Sequence, residues 1–403
     1  MFELFPAVTT LAWPFVIALA WIAGEFGHRL GLPRISVYGL VGFASGSAQL
    51  GVLPAMDDTQ GMSLANIAFG LILFEFGYRI NLRWLRTNRW LAATGLLESL
   101  LTFACVYVIA RVWGSPTLTA LLLASLSMAT SPASLMRVVN EQHSSGQVTE
   151  RVLHLAAVNC VLALFAFKVV VGFWTFESSG DLVHAIVNSV VALLVSAGMG
   201  AAFGAGVPAL LRVARRLSHD ATVAFAISVV VLVAVTHVLK FSPLVACLAF
   251  GLVARHRRVT LNQTQRNFGA LGDLLAVVLF AHVAATIEWP RVITGLGLGL
   301  ALVGVRMATK IAGSTALARL SGVSWRKGAL TGLAMMPMSV FVILLLEDTR
   351  YVGIDLIDTL APLAAATLLL DILGPLMTQY ALRAAGEAQE QALDHLAPTI
   401  RNS

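Results

Sequence analysis

Thirteen apolar stretches separated by short polar connections make up most of this 403-residue chain. They run Thr9–Phe26, Val37–Leu53, Met62–Tyr78, Trp90–Val112, Leu118–Val139, Val152–Trp174, Leu182–Leu211, Ala221–Leu239, Pro243–Ala254, Phe268–Ile287, Val292–Ala318, Ala329–Leu346 and Leu360–Leu382. A helix needs about 20 apolar residues to cross the hydrocarbon layer. The pattern therefore predicts an all-α polytopic membrane protein with about 13 transmembrane helices. Pro243–Ala254 is short for a crossing, so a tilted or broken helix is expected there.

The connections alternate in charge. Beginning with the first, every second one holds Arg29 and Arg34; Arg79, Arg83, Arg86 and Arg89; Arg137 and Arg151; Arg212, Arg215 and Arg216; Arg255, Arg257, Arg258 and Arg266; Arg319, Arg326 and Lys327; and finally Arg383 and Arg401. These are 20 of the 27 lysines and arginines. The other side holds only Arg111, Lys168, Lys240, Arg291 and Arg350. Basic connections stay in the cytoplasm, so the N-terminus is expected outside and the C-terminus inside a plasma (bacterial inner) membrane.

Composition agrees with the pattern. Hydrophobic residues reach 58% and charged ones 12%, against roughly 45–50% and about 25% in soluble domains. The net charge of +6 is spent on one membrane face and gives no reason to expect nucleic acid. Trp84, Trp90, Trp113, Trp174, Trp289 and Trp325 fall at stretch ends, where an interfacial belt belongs. Cys105, Cys160 and Cys247 lie inside stretches and read as small core residues, without disulfides. Met1–Glu25 lacks the charged start of a cleaved signal peptide, so the first stretch is expected to remain. The polar stretch Glu387–Ser403 is too short for a soluble regulatory domain.

Thirteen stretches divide into six, one and six, which gives two inverted six-helix repeats. The fifth stretch contains Thr130-Ser131-Pro132 and the twelfth contains Met336-Pro337-Met338, at equivalent places in the two halves. A proline inside a helix removes a donor and frees a carbonyl a turn earlier. In lipid, those groups must face a partner or a cavity. A simple kink explains either proline alone; the symmetric pair, Pro132 and Pro337, points to two crossed discontinuous helices and a transport site.

The segments GLPRISVYGLVGFASG (Gly31–Gly46), LILFEFGYRINLRWLR (Leu71–Arg86), MATSPASLMRVVNE (Met128–Glu141) and TERVLHLAAVNCVLA (Thr149–Ala163) resemble the monovalent cation:proton antiporter superfamily, the sodium/proton exchanger fold. GVRMATKIAG (Gly304–Gly313) and GLAMMPMS (Gly332–Ser339) resemble its second half, in the same order. The resemblance implies scaffold helices one to three (residues 1–89) and eight to ten (218–290), which usually dimerise. It implies mobile core helices four to six (90–174) and eleven to thirteen (291–386), a linker helix seven (175–217) and a short cytoplasmic tail (387–403). This chain departs from the family where exchange takes place. Thr130-Ser131-Pro132 replaces the usual Thr-Asp-Pro or serine-rich motif, and Asn159-Cys160 stands where the sixth-helix motif ends in aspartate.

An ionised group at the bilayer centre costs at least about 2.5–3.5 kcal/mol, so each one kept there is a functional candidate. Glu75 matches a third-helix glutamate that lines the ion pocket in one branch of the family, and it also stands four residues from Arg79. Glu98 is at a depth that suits pairing with Arg306 or Lys310. Asp371 sits in the symmetry mate of the sixth helix, either as a relocated exchange carboxylate or as a partner of those same cations. Asp273 and His282 share a face of a scaffold helix, and His154 and Lys168 near the ends of helix six are expected to snorkel.

No catalytic or nucleotide motif stands in a credible context, so the chain is not expected to be an enzyme. No cofactor and no metal beyond a transported cation is expected. The reading is a secondary transporter that exchanges Na⁺ or K⁺ for protons by alternating access, through a modified site of Glu75, Thr130, Ser131, Asn159, Cys160 and Asp371. The alternative is a divergent member that carries an anion or organic solute, or a non-transporting membrane partner. Whether any carboxylate reaches the helix crossing discriminates the two.

Overall fold

A computed structural model describes residues 5–53, 58–175, 182–213, 221–257, 268–338, 342 and 361–388. Among the described residues there are fifteen helices and no strand. In chain order they are α1 (Phe5–Arg29), α2 (Arg34–Ser45), α3 (Asp58–Arg79), α4 (Leu82–Thr87), α5 (Arg89–Val112), α6 (Thr117–Met128), α7 (Pro132–Glu141) and α8 (Gln147–Thr175). The second half supplies α9 (Leu182–Val213), α10 (Ala221–Val238), α11 (Pro243–His256), α12 (Gly269–Ala285), α13 (Trp289–Ala316), α14 (Trp325–Ala334) and α15 (Ala361–Ala384).

Every predicted apolar stretch coincides with at least one of these helices, although most of the second half of the twelfth falls outside the described residues. Eight spans are long and apolar enough to cross a membrane, and α11 and α12 are shorter apolar helices. The fourteen residues of α11 rise about 21 Å, less than the roughly 30 Å of a hydrocarbon core. The fifth stretch is two helices, α6 and α7, and together they form the most deeply buried of the eight spans.

Two packing groups emerge. In one, α13 lies against α5, α14 and α15, while α6 packs on α5 and α8. In the other, α11 lies between α3 and α9, and α2 packs on α1 and α12. Lipid tails are as apolar as leucine, so helices associate through close backbone packing rather than through hydrophobic burial alone. Glycine makes that possible between α3 and α11: a Cβ on Gly77 would lie 2.3 Å from the Leu248 carbonyl oxygen, and one on Gly251 would lie 2.1 Å from that of Phe74. Nearby, the Phe74 ring packs on Phe250 and Phe225 at centroid distances of 4.7 and 5.2 Å.

The basic connections meet one another. The Arg34 N–H faces Glu141, Arg79 donates to Asn140, and Arg255 donates to the Arg79 carbonyl. Arg151 donates to Ser321, and Arg383 to Gln142. Connections of the other set also meet, as Gln49 Nε2 donates to the Ile287 carbonyl at 2.8 Å. In these contacts, connections that the charge alternation assigns to one side meet connections of that same side.

Candidate functional site

Pro132 restricts Ser131 to extended backbone and cannot donate within a helix. Accordingly α6 stops at Met128, Ala129 and Ser131 are extended with ψ of 145° and 109°, and Pro132 opens α7. The Ser131 side chain accepts from the Ser134 N–H at 3.4 Å and so caps α7. Its backbone N–H donates to the Pro337 carbonyl at 2.7 Å. Thr130 Oγ1 donates to the Met335 carbonyl at 3.2 Å. The two breaks, one after α6 and one after α14, thus hydrogen-bond directly to each other. Gly374 of α15 backs this contact, since a Cβ there would lie 2.8 Å from Pro337 Cα.

Asn159 of α8 reaches the same place. Ser99 Oγ donates to Asn159 Oδ1 at 2.9 Å, and Asn159 Nδ2 donates to Thr130 Oγ1 at 3.3 Å. With the Thr130–Met335 bond, this makes a directional chain from α5 through α8 to both breaks. The neighbouring Cys160 thiol donates to the Thr130 carbonyl at 3.0 Å.

Two buried cations from α13 complete the crossing. Arg306, only 1% exposed, donates to the carbonyls of Ser127 and Ala129 at the end of α6 and of Met335 and Met336 at the end of α14. Lys310, one turn later and fully buried, pairs with Glu98 Oε1 at 2.5 Å and donates to the Met128 carbonyl at 3.2 Å. Thr102 donates to the Glu98 carbonyl at 2.8 Å and meets Thr309 at 3.0 Å. Glu98 Oε2 is buried with no hydrogen-bond partner among the described residues.

Of the sequence candidates, Glu98, Thr130, Ser131, Pro132, Asn159, Cys160, Arg306, Lys310 and Pro337 come together here. Glu75 does not: its Oε1 accepts from Asn140 Nδ2 at 3.0 Å and lies 3.4 Å from Arg79 Nη2. Asn140 is at the far end of the ten-residue α7, about 15 Å from the break. Asp371 is 7% exposed, on α15 one turn ahead of Gly374. Asp273 faces Arg137, and His282 lies against Trp13, away from the crossing. His154 does not snorkel; it is 1% exposed, with Nε2 accepting from the Asn81 N–H at 2.9 Å and Nδ1 against the Glu150 carbonyl at 2.6 Å. Ser99, Thr102 and Thr309 were not singled out from sequence. Their signal was positional, as Glu98, Ser99 and Thr102 fall on one face of α5 at helical spacing.

A helix interrupted between α6 and α7, bonded through its break to the non-helical residues after α14, fits the inverted-repeat class of membrane transporters. Residues 15–383 match the family described as sodium/hydrogen exchanger, transmembrane, and the chain belongs to that family. Its fold is similar to a structure of the sodium proton antiporter MjNhaP1 from Methanocaldococcus jannaschii at pH 8, with TM-score 0.65, 16% identity and coverage of 93% of this chain and 95% of that one. An electron-microscopy map of the same antiporter gives TM-score 0.66 at 18% identity, covering 96% of each chain. No curated protein matches this chain.

Proposed function

We propose that this member of the family is a monovalent cation:proton antiporter in which the buried Glu98–Lys310 pair is the exchange couple. One observation carries the reading: a carboxylate does reach the crossing, through an ammonium that also holds the Met128 carbonyl at the break. With Lys310 protonated, Glu98 is neutralised from within the protein. A cation that takes the Glu98 carboxylate leaves two positive charges beside one negative one in a dry site, which favours loss of the Lys310 proton. Cation uptake and proton release are then coupled by charge balance. Glu98 Oε2 offers the incoming ion a first ligand, and the Met128 carbonyl, freed by the lysine, a second. Thr130, Ser131, Asn159 and Cys160 shape the break beside it, Asp371 is a second carboxylate on the opposite repeat, and Glu75 acts at the end of α7.

The core of α5–α8 and α13–α15 moves against a scaffold that dimerises in a bacterial inner membrane, with the N-terminus outside. A second reading, carriage of an anion, is favoured by Arg306 and Lys310 both donating into a crossing whose sixth-helix motif has no carboxylate.

Purified protein in proteoliposomes under an imposed pH gradient, given Na⁺, K⁺ or Li⁺ in turn, separates these readings. Cation-dependent proton movement should be lost in Glu98→Gln. If Glu98→Gln exchanges normally and Asp371→Asn does not, the proton belongs to α15. Anion-dependent but cation-independent flux would establish the second reading.

A further inference from the structure

The last turn of α7 is fastened to four helices, α1, α2, α3 and α12. Arg137 pairs with Asp273 of α12 at 2.5 Å and also donates to the Gly272 carbonyl. Asn140 donates to Glu75 of α3 at 3.0 Å and accepts from Arg79. Glu141 lies 2.6 Å from His28 Nδ1 of α1, and both its oxygens accept from the Arg34 N–H of α2 at 3.4 Å. These contacts, from three side chains of one short helix, all reach helices of the packing group that holds α1, α2, α3 and α12.

They differ in weight. The Asp273 side chain is 73% exposed, so its pair with Arg137 contributes little by itself. Glu75, Arg79 and Glu141 have side-chain exposures of 3%, 15% and 8%. Their bonds are charge-assisted and mostly out of water, where losing one partner strands a charge. The other end of α7 is Ser131, hydrogen-bonded to Pro337 at the crossing. This half-helix therefore joins the crossing to the basic face as one rod of about 15 Å.

We propose that Asn140 and Glu141, with their partners on α1, α2 and α3, form a polar latch. Shut, it seals the crossing from the basic face; its release is the step that opens Asn159 and Cys160 to that side. The latch rests on the alternating-access reading above, and it is tested by accessibility rather than by transport, so the two fail separately.

Cys160 is a native reporter at the crossing. In a Cys105→Ser, Cys247→Ser background, a membrane-impermeant maleimide is applied to the basic face of reconstituted protein. Asn140→Ala and Glu141→Gln should each raise the rate of Cys160 labelling roughly tenfold, the scale on which losing one charge-assisted hydrogen bond shifts a two-state equilibrium. If Asn140→Ala does not yield a monodisperse protein, Asn140→Asp keeps the volume and places a like charge against Glu75, with the same expected rise. Unchanged labelling in these folded variants overturns the latch, as does a rise confined to reagent applied at the opposite face. A short reversible thiol cross-link between Glu75→Cys and Asn140→Cys should hold Cys160 protected until reduced; free labelling in the cross-linked protein would also overturn it.

Discussion

Arg306 donates to carbonyls at the ends of two different half-helices, Ser127 and Ala129 on one side and Met335 and Met336 on the other. A helix carboxyl end carries roughly half a negative charge, so two ends balance one guanidinium while Glu98 and Lys310 cancel each other. The planar fork matters as much as the charge, because it distributes its donors over both breaks at once. Arg306→Ala leaves these carbonyls buried without their donor and should cost about 3–5 kcal/mol, the scale for breaking a buried charged network. Arg306→Lys keeps the charge and loses the fork, so it should fall between. Thermal unfolding of the purified protein in detergent should rank the parent above Arg306→Lys and that above Arg306→Ala. Equal midpoints would mean the carbonyls find other donors.

Among the elements, the separation between α5 and α13 sets the Glu98–Lys310 distance, and a glycine sets that separation. A Cβ on Gly313 would lie 2.7 Å from Glu98 Cα and 2.8 Å from its Cβ. Neither contact is the far end of a flexible chain, so Gly313→Ala must push the helices apart. The expected cost is about 1–3 kcal/mol, typical of overpacking, with a lower unfolding midpoint. Gly304→Ala on the same helix, where nothing lies within 4 Å, should be neutral. The broken helices were legible because proline states its own constraint: Pro132 and Pro337 mark the breaks by missing donors. Which carbonyls face which donors was not, since a helix face has no sequence signature for its partner.

For the whole molecule, the two faces expected from the charge alternation turn orientation into a simple experiment. Single cysteines at Arg86 and Arg257, in connections of the basic face, should be protected from an impermeant thiol reagent in right-side-out vesicles. Cysteines at Asp57 and Asp348, both outside the described residues, should label. The reverse pattern would invert the proposed topology and, with it, the side to which the α7 latch opens.

Apolar periodicity, charge alternation and two prolines were enough to determine an all-helical membrane protein with paired breaks, because hydrocarbon forces every backbone group into internal hydrogen bonds. The same reasoning marked Glu98, Arg306 and Lys310, since a charge left inside a membrane is costly to keep. Partnership was decided only in three dimensions. Sequence left Glu98 with two possible cations, and the structure pairs it with Lys310 while Arg306 holds the helix ends. Glu75 was assigned to the ion site by its motif, but α3 places it against Asn140 at the far end of α7. Both outcomes depend on helix rotation and depth, which are set by backbone contacts at residues such as Gly77, Gly251 and Gly313. A glycine in a sequence says that a close approach is possible; only packing says what approaches.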